Sequence, residues 1–467
     1  MAKKKTISLL LTAGLVLSVN GVSAQEPSQA PNAQSATAFD NKVIKKISAD
    51  NMYDTIAKLS AQPRAAGTEG ELIGAQYIKS QFEQYGYETE LQPFPFYEAL
   101  RNNVSGTLEV NGKPLNPYVM SGSYSGEVTA EVVYVGLAYA DKVPEAVKGK
   151  IALIERGDIT FVEKIKNVLD KGALGVIMYN NSGTTNRFGS ANPGQNIPAV
   201  AITRAQGLDL VEQLKAGSLT ATIKVEGSGF IEKTSYNVIA KMKPNKNKDT
   251  GQVVMVGAHH DSVPGGPGAN DDASGVSAVL ELARVMAKTQ IDTELRFVTF
   301  GAEEKGLLGS SYYASTFSEE EADRIVAHFQ MDMIGSRDAG GDHPAGGLIM
   351  YTIDGKKNLV TDLGSAAGAR TAAAETIPMG QLGRSDHEPF HLLGIPAALF
   401  IHSPLEPWYH TPADTIDKID KNKLQETAEI VGASVYQIAR PDTPALKNAR
   451  VAPGLVDYEF ENRSPGA

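Results

Sequence analysis

One stretch, Val253 to Gly306, brings His259, Asp261, Asn270, Asp271, Asp272, Glu303 and Glu304, residue types that bind metal or move protons, to the ends of apolar runs and the loop between them. The apolar run Val253 to Val256 ends at Gly257, and His259 and Asp261 follow at once. A Gly/Pro-rich loop then delivers Asn270, Asp271 and Asp272 to the start of an amphipathic segment. A second apolar run, Leu295 to Phe300, ends at Gly301 and presents Glu303 and Glu304. Hard carboxylates mixed with imidazole suit a zinc-like ion, and so many acids together suggest two ions. A Gly-rich loop opening a helix can instead cradle phosphate. Asp271 and Asp272 at that helix start would repel an anion. The acid spacing does not fit a calcium loop of the EF-hand type either. The chain has no cysteine, so thiolate ligands and thiol catalysis are excluded.

Two further segments add donors. Gln330-Met331-Asp332-Met333 ends another apolar run with an acid, and Trp408-Tyr409-His410-Thr411-Pro412 follows the apolar run Ala397 to Ile401. The elements that must position these residues read as a βαβ rhythm after Ser235. Strands are expected at Asn237 to Met242, Val253 to Val256, Leu295 to Phe300, Val326 to Met331 and Ala397 to Ile401. Helices are expected over Ala273 to Ala287 and Leu424 to Ala439. The fold class that follows is α/β, with a mostly parallel central sheet flanked by helices. Open sheets of this kind build their sites at the carboxyl ends of the strands, where all these donors fall.

The segments GAHHDSV, GANDDASG, GAEEKGLLGS, QMDMIG, GRSDHEPF and WYHTPADT closely resemble the secreted di-zinc aminopeptidases of the M28 peptidase family, in the family's order. The resemblance spans nearly all of Asp40 to Arg440 and implies a zinc-exopeptidase fold with two zinc ions per chain. It implies that His259 and Asp332 bind one ion and that Glu304 and His410 bind the other, with Asp271 bridging. Glu303 falls on the general acid/base position, and Asp261 on the acid that orients His259. As neighbours in an extended segment, Glu303 and Glu304 are expected to point in different directions, one to the water and one to a metal. Tyr409, beside a ligand, could donate to a developing oxyanion. Arg384 resembles a substrate-side position, with an ion pair to Asp386 as the alternative. His260, His387, His391 and His402 are expected not to bind metal; His260 should point away from His259.

The block from Val128 to Glu226 carries no comparable cluster. Its strand candidates are Glu131 to Val135, Ile151 to Ile154, Leu174 to Tyr179 and Ile197 to Ile202, with a helix at Phe161 to Asp170. The segment GKIALIERGDITFVEKIKNVLDKGALGVIMYNN resembles a protease-associated (PA) domain, a β-rich insert of secreted peptidases. Ahead of it, residues 41–127 read as the N-terminal part of the peptidase domain, with helices at Ser48 to Ala61 and Glu71 to Tyr85. The loop Pro63 to Thr68 lies between them. Residues 227–440 carry the rest of that domain, and 441–467 a Pro-rich tail.

Met1 to Ala24 read as a signal peptide, with Lys3, Lys4 and Lys5 before the apolar stretch Ile7 to Val19 and small residues up to Ala24. Cleavage is expected near Ala24-Gln25, then a disordered leader to Asp40, and secretion without a membrane anchor. A net charge of −10 across 467 residues argues against nucleic acid as a partner. The expected partners are peptides with a free N-terminus, apolar or basic in their first residue. The alternatives are a di-zinc carboxypeptidase or dipeptidase, a non-catalytic binding protein on the same scaffold, and a single-zinc aminoacyl cyclase.

Overall fold

A computed structural model describes residues 40–245, 247–340, 347–371, 376–447 and 450–451. The expected signal peptide, nearly all of the leader and most of the tail lie outside the described residues. Asp40 does not belong to a disordered leader. It is buried, and its carboxylate accepts hydrogen bonds from Arg370 Nε and Gln437 Nε2, both at 2.8 Å.

Among the described residues sixteen strands form two eight-stranded sheets. Strand β1 (Glu88–Ala99) is followed by the second sheet: β2 (Ser105–Val110), β3 (Lys113–Leu115), β4 (Tyr118–Val119), β5 (Gly126–Tyr134), β6 (Ile151–Glu155), β7 (Gly175–Tyr179), β8 (Ala199–Ile202) and β9 (Thr220–Glu226). The chain then returns to the first sheet. Its strands are β10 (Phe230–Met242), β11 (Val253–His259), β12 (Glu294–Phe300), β13 (Ile325–Met331), β14 (Gly347–Thr352), β15 (Met379–Gln381) and β16 (Ala397–Ser403).

The first sheet runs β1-β10-β12-β11-β13-β16-β14-β15. Its centre, from β12 through β11 and β13 to β16, is parallel, as expected. Its flanks are not: β1 pairs antiparallel with β10 over twelve residues, β10 with β12, and β14 with β16. The sequence reading found only the end of β10, because its polar first half lies toward the edge and lacks the apolar run of a central strand.

Side chains alternate across β11. Val254, Val256 and Ala258 face the large core under the helices, while Val253 and Met255 join Phe300, Tyr313 and Phe390 on the other side. The helix Ala273–Met286 is buried along nearly its whole length, which suits its Ala-, Val- and Leu-rich composition. It lies under Ala49–Leu59, Glu69–Tyr85 and Lys421–Ala439 in one apolar cluster. Burying each Val- or Leu-sized side chain there contributes about 1.5–3 kcal/mol. Both faces of the sheet are therefore covered, and the strand ends are held against a rigid body.

The second sheet runs β3-β2-β9-β5-β6-β7-β8-β4 and has two apolar clusters of its own. It takes in Ser105 to Val119, which precede Val128, where the sequence reading starts the insert. No helix among the described residues is long and apolar enough to cross a membrane.

Candidate metal centre

Each donor of the centre follows the end of a central strand or sits in a loop leaving one. His259 closes β11, and Asp332 follows β13. Asp271 lies in the loop before the helix Ala273–Met286, and His410 follows β16 in a left-handed conformation at φ 58°. After β12 comes Gly301, where a Cβ would stand 2.3 Å from Ser235 Oγ and 2.5 Å from the Tyr236 carbonyl oxygen. Only glycine fits that approach. Ala302 then turns left-handed at φ 51° and opens a short 3₁₀ turn, Glu303–Lys305. The two glutamates are thus neighbours in a turn, not in the extended segment expected. An apolar strand followed by Gly gives no periodicity from which a three-residue turn can be read.

The donors gather as two adjoining groups: His259, Glu303 and Asp332; and Asp271, Glu304 and His410. Asp271 stands between them. Its Oδ1 is 3.1 Å from His259 Nε2, and its Oδ2 is 3.2 Å from His410 Nε2. His259 Nε2 also lies 3.5 Å from Asp332 Oδ1 and 4.0 Å from Glu303 Oε2. His410 Nε2 lies 3.2 Å from Glu304 Oε2. The five expected ligands therefore come together, and Glu303, expected as the acid/base, is grouped beside His259 and Asp332. His260, His387, His391 and His402 belong to neither group. The His260 ring instead shares a 3.1 Å hydrogen bond with Thr299 Oγ1, and His387 Nε2 contacts the Leu382 carbonyl at 2.9 Å.

The electrostatics are those of a pocket short of positive charge. Burial, then the Asp271 carboxylate, pushes Glu304 up to about 7. Burial also drives Glu303 well above the usual carboxylate range. His410 moves the other way: burial opposes its charge, but hydrogen bonds to Asp271 and Glu304 carry it up to about 10. Asp271 is held below its ordinary value despite burial, because both imidazoles bond to it. Glu304 Oε1 and Asp332 Oδ1 are buried without a hydrogen-bond partner. Orphaned carboxylate oxygens among crowded acids cost several kcal/mol unless a cation satisfies them. The donor set fits divalent cations.

A surrounding layer fixes the donors. Asp261 Oδ1 lies 3.5 Å from His259 Nδ1, too long for a firm hydrogen bond. Its carboxylate has firmer partners in the backbone N–H groups of Glu303 at 3.0 Å and Glu304 at 3.2 Å. Asp272 caps the helix through Gly275 N–H at 2.8 Å and also accepts from His259 N–H and Met333 N–H. The Asp414 carboxylate accepts from the N–H groups of Asn270 and Asp271, and the Ser385 hydroxyl donates to Asp332 Oδ2 at 2.9 Å. Tyr409 stacks on His410 with ring centroids 3.7 Å apart. Burial and the carboxylates of Asp271 and Glu304 push its phenol up, so it stays protonated. Arg384 is exposed, and its ion pair with Asp386 does not form; its backbone N–H donates to Glu388 Oε2 at 3.1 Å.

Sequence reasoning missed Arg64. Its guanidinium is buried in the loop Pro63 to Thr68 and donates to four carbonyls: Leu59, His260, Pro267 and Gly268, at 2.7–2.9 Å. It clamps the Gly-rich loop that leads to Asp271. A lone arginine in a Pro/Ala/Gly loop carries no signal of this. The Asp272 cap was legible in principle as an acid just before a helix.

A mixed sheet with two metal-capable acid–imidazole groups at its strand ends defines a metal-dependent hydrolase. Residues 237–435 match the model of peptidase family M28, and residues 128–210 that of the PA domain. Aminopeptidase YwaD of Bacillus subtilis is 38% identical over 448 residues, covering 93% of each chain. The structure of an aminopeptidase from Aneurinibacillus sp. strain AM-1 is 50% identical, with a TM-score of 0.70 over 87% of this chain and 97% of that one. BSAP, a zinc aminopeptidase from Bacillus subtilis, is 36% identical, with a TM-score of 0.57 over 87% and 98% of the two chains. The chain belongs to peptidase family M28. It is a metallo-aminopeptidase with a PA domain.

Proposed function

We propose that this chain is an exported aminopeptidase that uses two zinc ions, and that Asp271 bridges them. The observation that carries this reading is the Asp271 carboxylate, with one oxygen toward His259 and the other toward His410. His259 and Asp332 would hold one ion, and Glu304 and His410 the other. A relative that is a zinc aminopeptidase supports the choice of metal. Bound there, the ions supply a water of lowered pKa and a polarised scissile carbonyl.

This chain's own residues do the rest. The Glu303 carboxylate takes the proton of the attacking water and returns it to the departing amine. Its raised affinity for protons suits both halves of that task. The protonated Tyr409 hydroxyl donates to the oxygen of the substrate carbonyl as charge develops on it. The acid-rich pocket attracts the α-ammonium of a free N-terminus, with the Glu303 and Asp332 carboxylates as its partners. Arg384, exposed beside the Ser385 that bonds Asp332, would meet the substrate from the rim. Met333, Leu399 and Ile401 form a buried apolar cluster, with Tyr351, Leu382 and Tyr409 packed against it. The first residue removed is apolar, such as Leu, or basic, such as Arg or Lys. The signal-like N-terminus supports export.

Leucyl p-nitroanilide and its N-acetyl counterpart test the reading. Capping removes a charge-assisted hydrogen bond and should slow cleavage about thirty- to a thousandfold. Equal rates on the two substrates would show that a free N-terminus is not required, and an endopeptidase's choice of bond would replace this proposal.

A further inference from the structure

A groove of about 410 Å³ lies between the helix Leu308–Ser315 and the short helix Glu388–Leu392, a volume in the range of small-ligand sites. None of its residues is a proposed ligand or proton carrier, yet each wall starts one hydrogen bond from a residue of the proposed machinery. On one side the N–H groups of Gly306 and Leu307 donate to the Glu303 carbonyl, at 2.8 and 2.9 Å, and the first helix follows. On the other, Glu388 Oε2 accepts the Arg384 N–H at 3.1 Å, and the next residue, Ser385, donates to Asp332 Oδ2 at 2.9 Å. The groove is therefore continuous with the segments that carry Glu303 and Arg384. Its lining is mostly apolar, with Leu307, Ala314, Pro389 and Leu392 among the walls. Leu392 is 44% exposed, and Ser311 is exposed at the rim. A Cβ at Gly306 would meet nothing within 4 Å, so the space beside the turn is open.

Two occupants come into question. In the proposed reaction Glu303 returns its proton to the departing amine, so the peptide that leaves begins at Glu303. An extended peptide advances about 3.3 Å per residue, which carries its next residues toward Gly306 and the groove. The chain's own residues 452–467 start beside Leu393, where the Val451 N–H donates to the Gly394 carbonyl at 3.0 Å. They suit the groove less. Asp457, Glu459 and Glu461 alternate with the apolar residues of that segment and would bring three acids toward Glu388 and the acid-rich centre.

We propose that this groove binds the peptide substrate beyond the bond that is cut and takes an apolar side chain at its third residue. The second residue lies at the reacting atoms, so the third is the first whose side chain can enter. The proposal rests on the reading of Glu303 as the proton carrier of an aminopeptidase.

Initial release of leucine from Leu-Gly-Phe-amide and Leu-Gly-Gly-amide by the zinc-saturated enzyme tests it. Wild type should prefer the phenylalanyl peptide by about fivefold or more in kcat/KM, since its ring leaves water for the groove. The contact is made equally before and during the reaction, so the preference should sit in KM with kcat alike. Ser311→Trp fills the groove, and Leu392→Asp puts a charge on its wall; both positions are exposed, and the fold should tolerate both changes. Each should shrink the preference to within about twofold. A wild-type enzyme that treats the two peptides alike, or variants that keep the full preference, would overturn the proposal. Absence of the preference, together with a melting temperature lowered by removal of residues 452–467, would give the groove to that segment instead. The acetyl-capped phenylalanyl peptide is assayed in parallel. If it is cut at the same bond as fast as the free peptide, the aminopeptidase reading itself fails. If it stays intact while the free enzyme shows no preference at the third residue, only the groove's role falls.

Discussion

The Asp261 carboxylate accepts the backbone N–H of Glu303 at 3.0 Å and, through its other oxygen, that of Glu304 at 3.2 Å. Its link to His259 is longer, at 3.5 Å. Fixing the glutamate turn is thus at least as large a part of its work as orienting the imidazole. An Asp261→Asn variant has one oxygen left to accept, so one buried N–H loses its partner. That loss costs about 1–3 kcal/mol. The expected result is a lower melting temperature and reduced kcat. Thermal unfolding and steady-state kinetics check it; an Asn variant with both unchanged would assign the turn's shape to other contacts.

The central sheet was legible in sequence because β11, β12, β13 and β16 are short apolar runs, each followed by polar donors. Their flanking strands were less so. The strand β14 alternates in burial, and β15 has three residues, which leaves little pattern to find. For the site, the residues pointing into the pocket were legible through their types. The residues holding them were not. Arg64, Glu71 and Asp414 act on backbone groups, and a hydrogen bond to a backbone N–H or carbonyl leaves no trace in the partner's identity.

Glu303 and Glu304 are neighbours with different expected roles. Glu303→Gln should cut turnover by a hundredfold or more, in line with loss of a general base, about 10²–10⁴-fold. Its metal content should stay at two zinc ions per chain. Glu304→Gln should lose an ion from the group it forms with Asp271 and His410. Elemental analysis beside kinetics separates the two. Equal metal loss in both variants would make Glu303 a ligand, in keeping with its place beside His259 and Asp332. Chelation should abolish wild-type activity, and zinc should restore it.

Arg64 is buried among carbonyls and lies in the field of Asp261 and Asp414, although burial itself lowers its pKa. Its planar fork reaches the Leu59, His260, Pro267 and Gly268 carbonyls together. Lysine keeps the charge but has three donors on one atom and cannot span that arc. Arg64→Lys should therefore destabilise the protein by about 2–4 kcal/mol, and Arg64→Met by more, since the carbonyls are then left unpaired. Chemical denaturation measures this. Wild-type stability in Arg64→Met would mean that water replaces the guanidinium at no cost.

Glu71 gives stability a pH dependence of known sign. Burial, reinforced by the Asp261 charge, raises its pKa from 4.5 to about 8, against hydrogen bonds from Ser235, Gly67 and Ala302 that favour the anion. Below about pH 4.5 the acid is protonated whether the chain is folded or not. Between 4.5 and 8 the unfolded chain releases the proton while the folded chain keeps it. The unfolded state then binds fewer protons, so stability falls as pH rises, by up to about 1.4 kcal/mol per pH unit. Above about pH 8 both states are ionised and the decline stops. Glu71→Gln cannot ionise and lacks this slope. The melting temperature of the variant relative to wild type should therefore climb steadily from pH 5 to pH 8, then level off. Paired thermal melts across that range, in metal-saturated buffer, read the difference directly and cancel the titration of the other groups. A constant difference would mean that Glu71 is already ionised in the folded protein, with the Ser235, Gly67 and Ala302 donors outweighing the cost of burial.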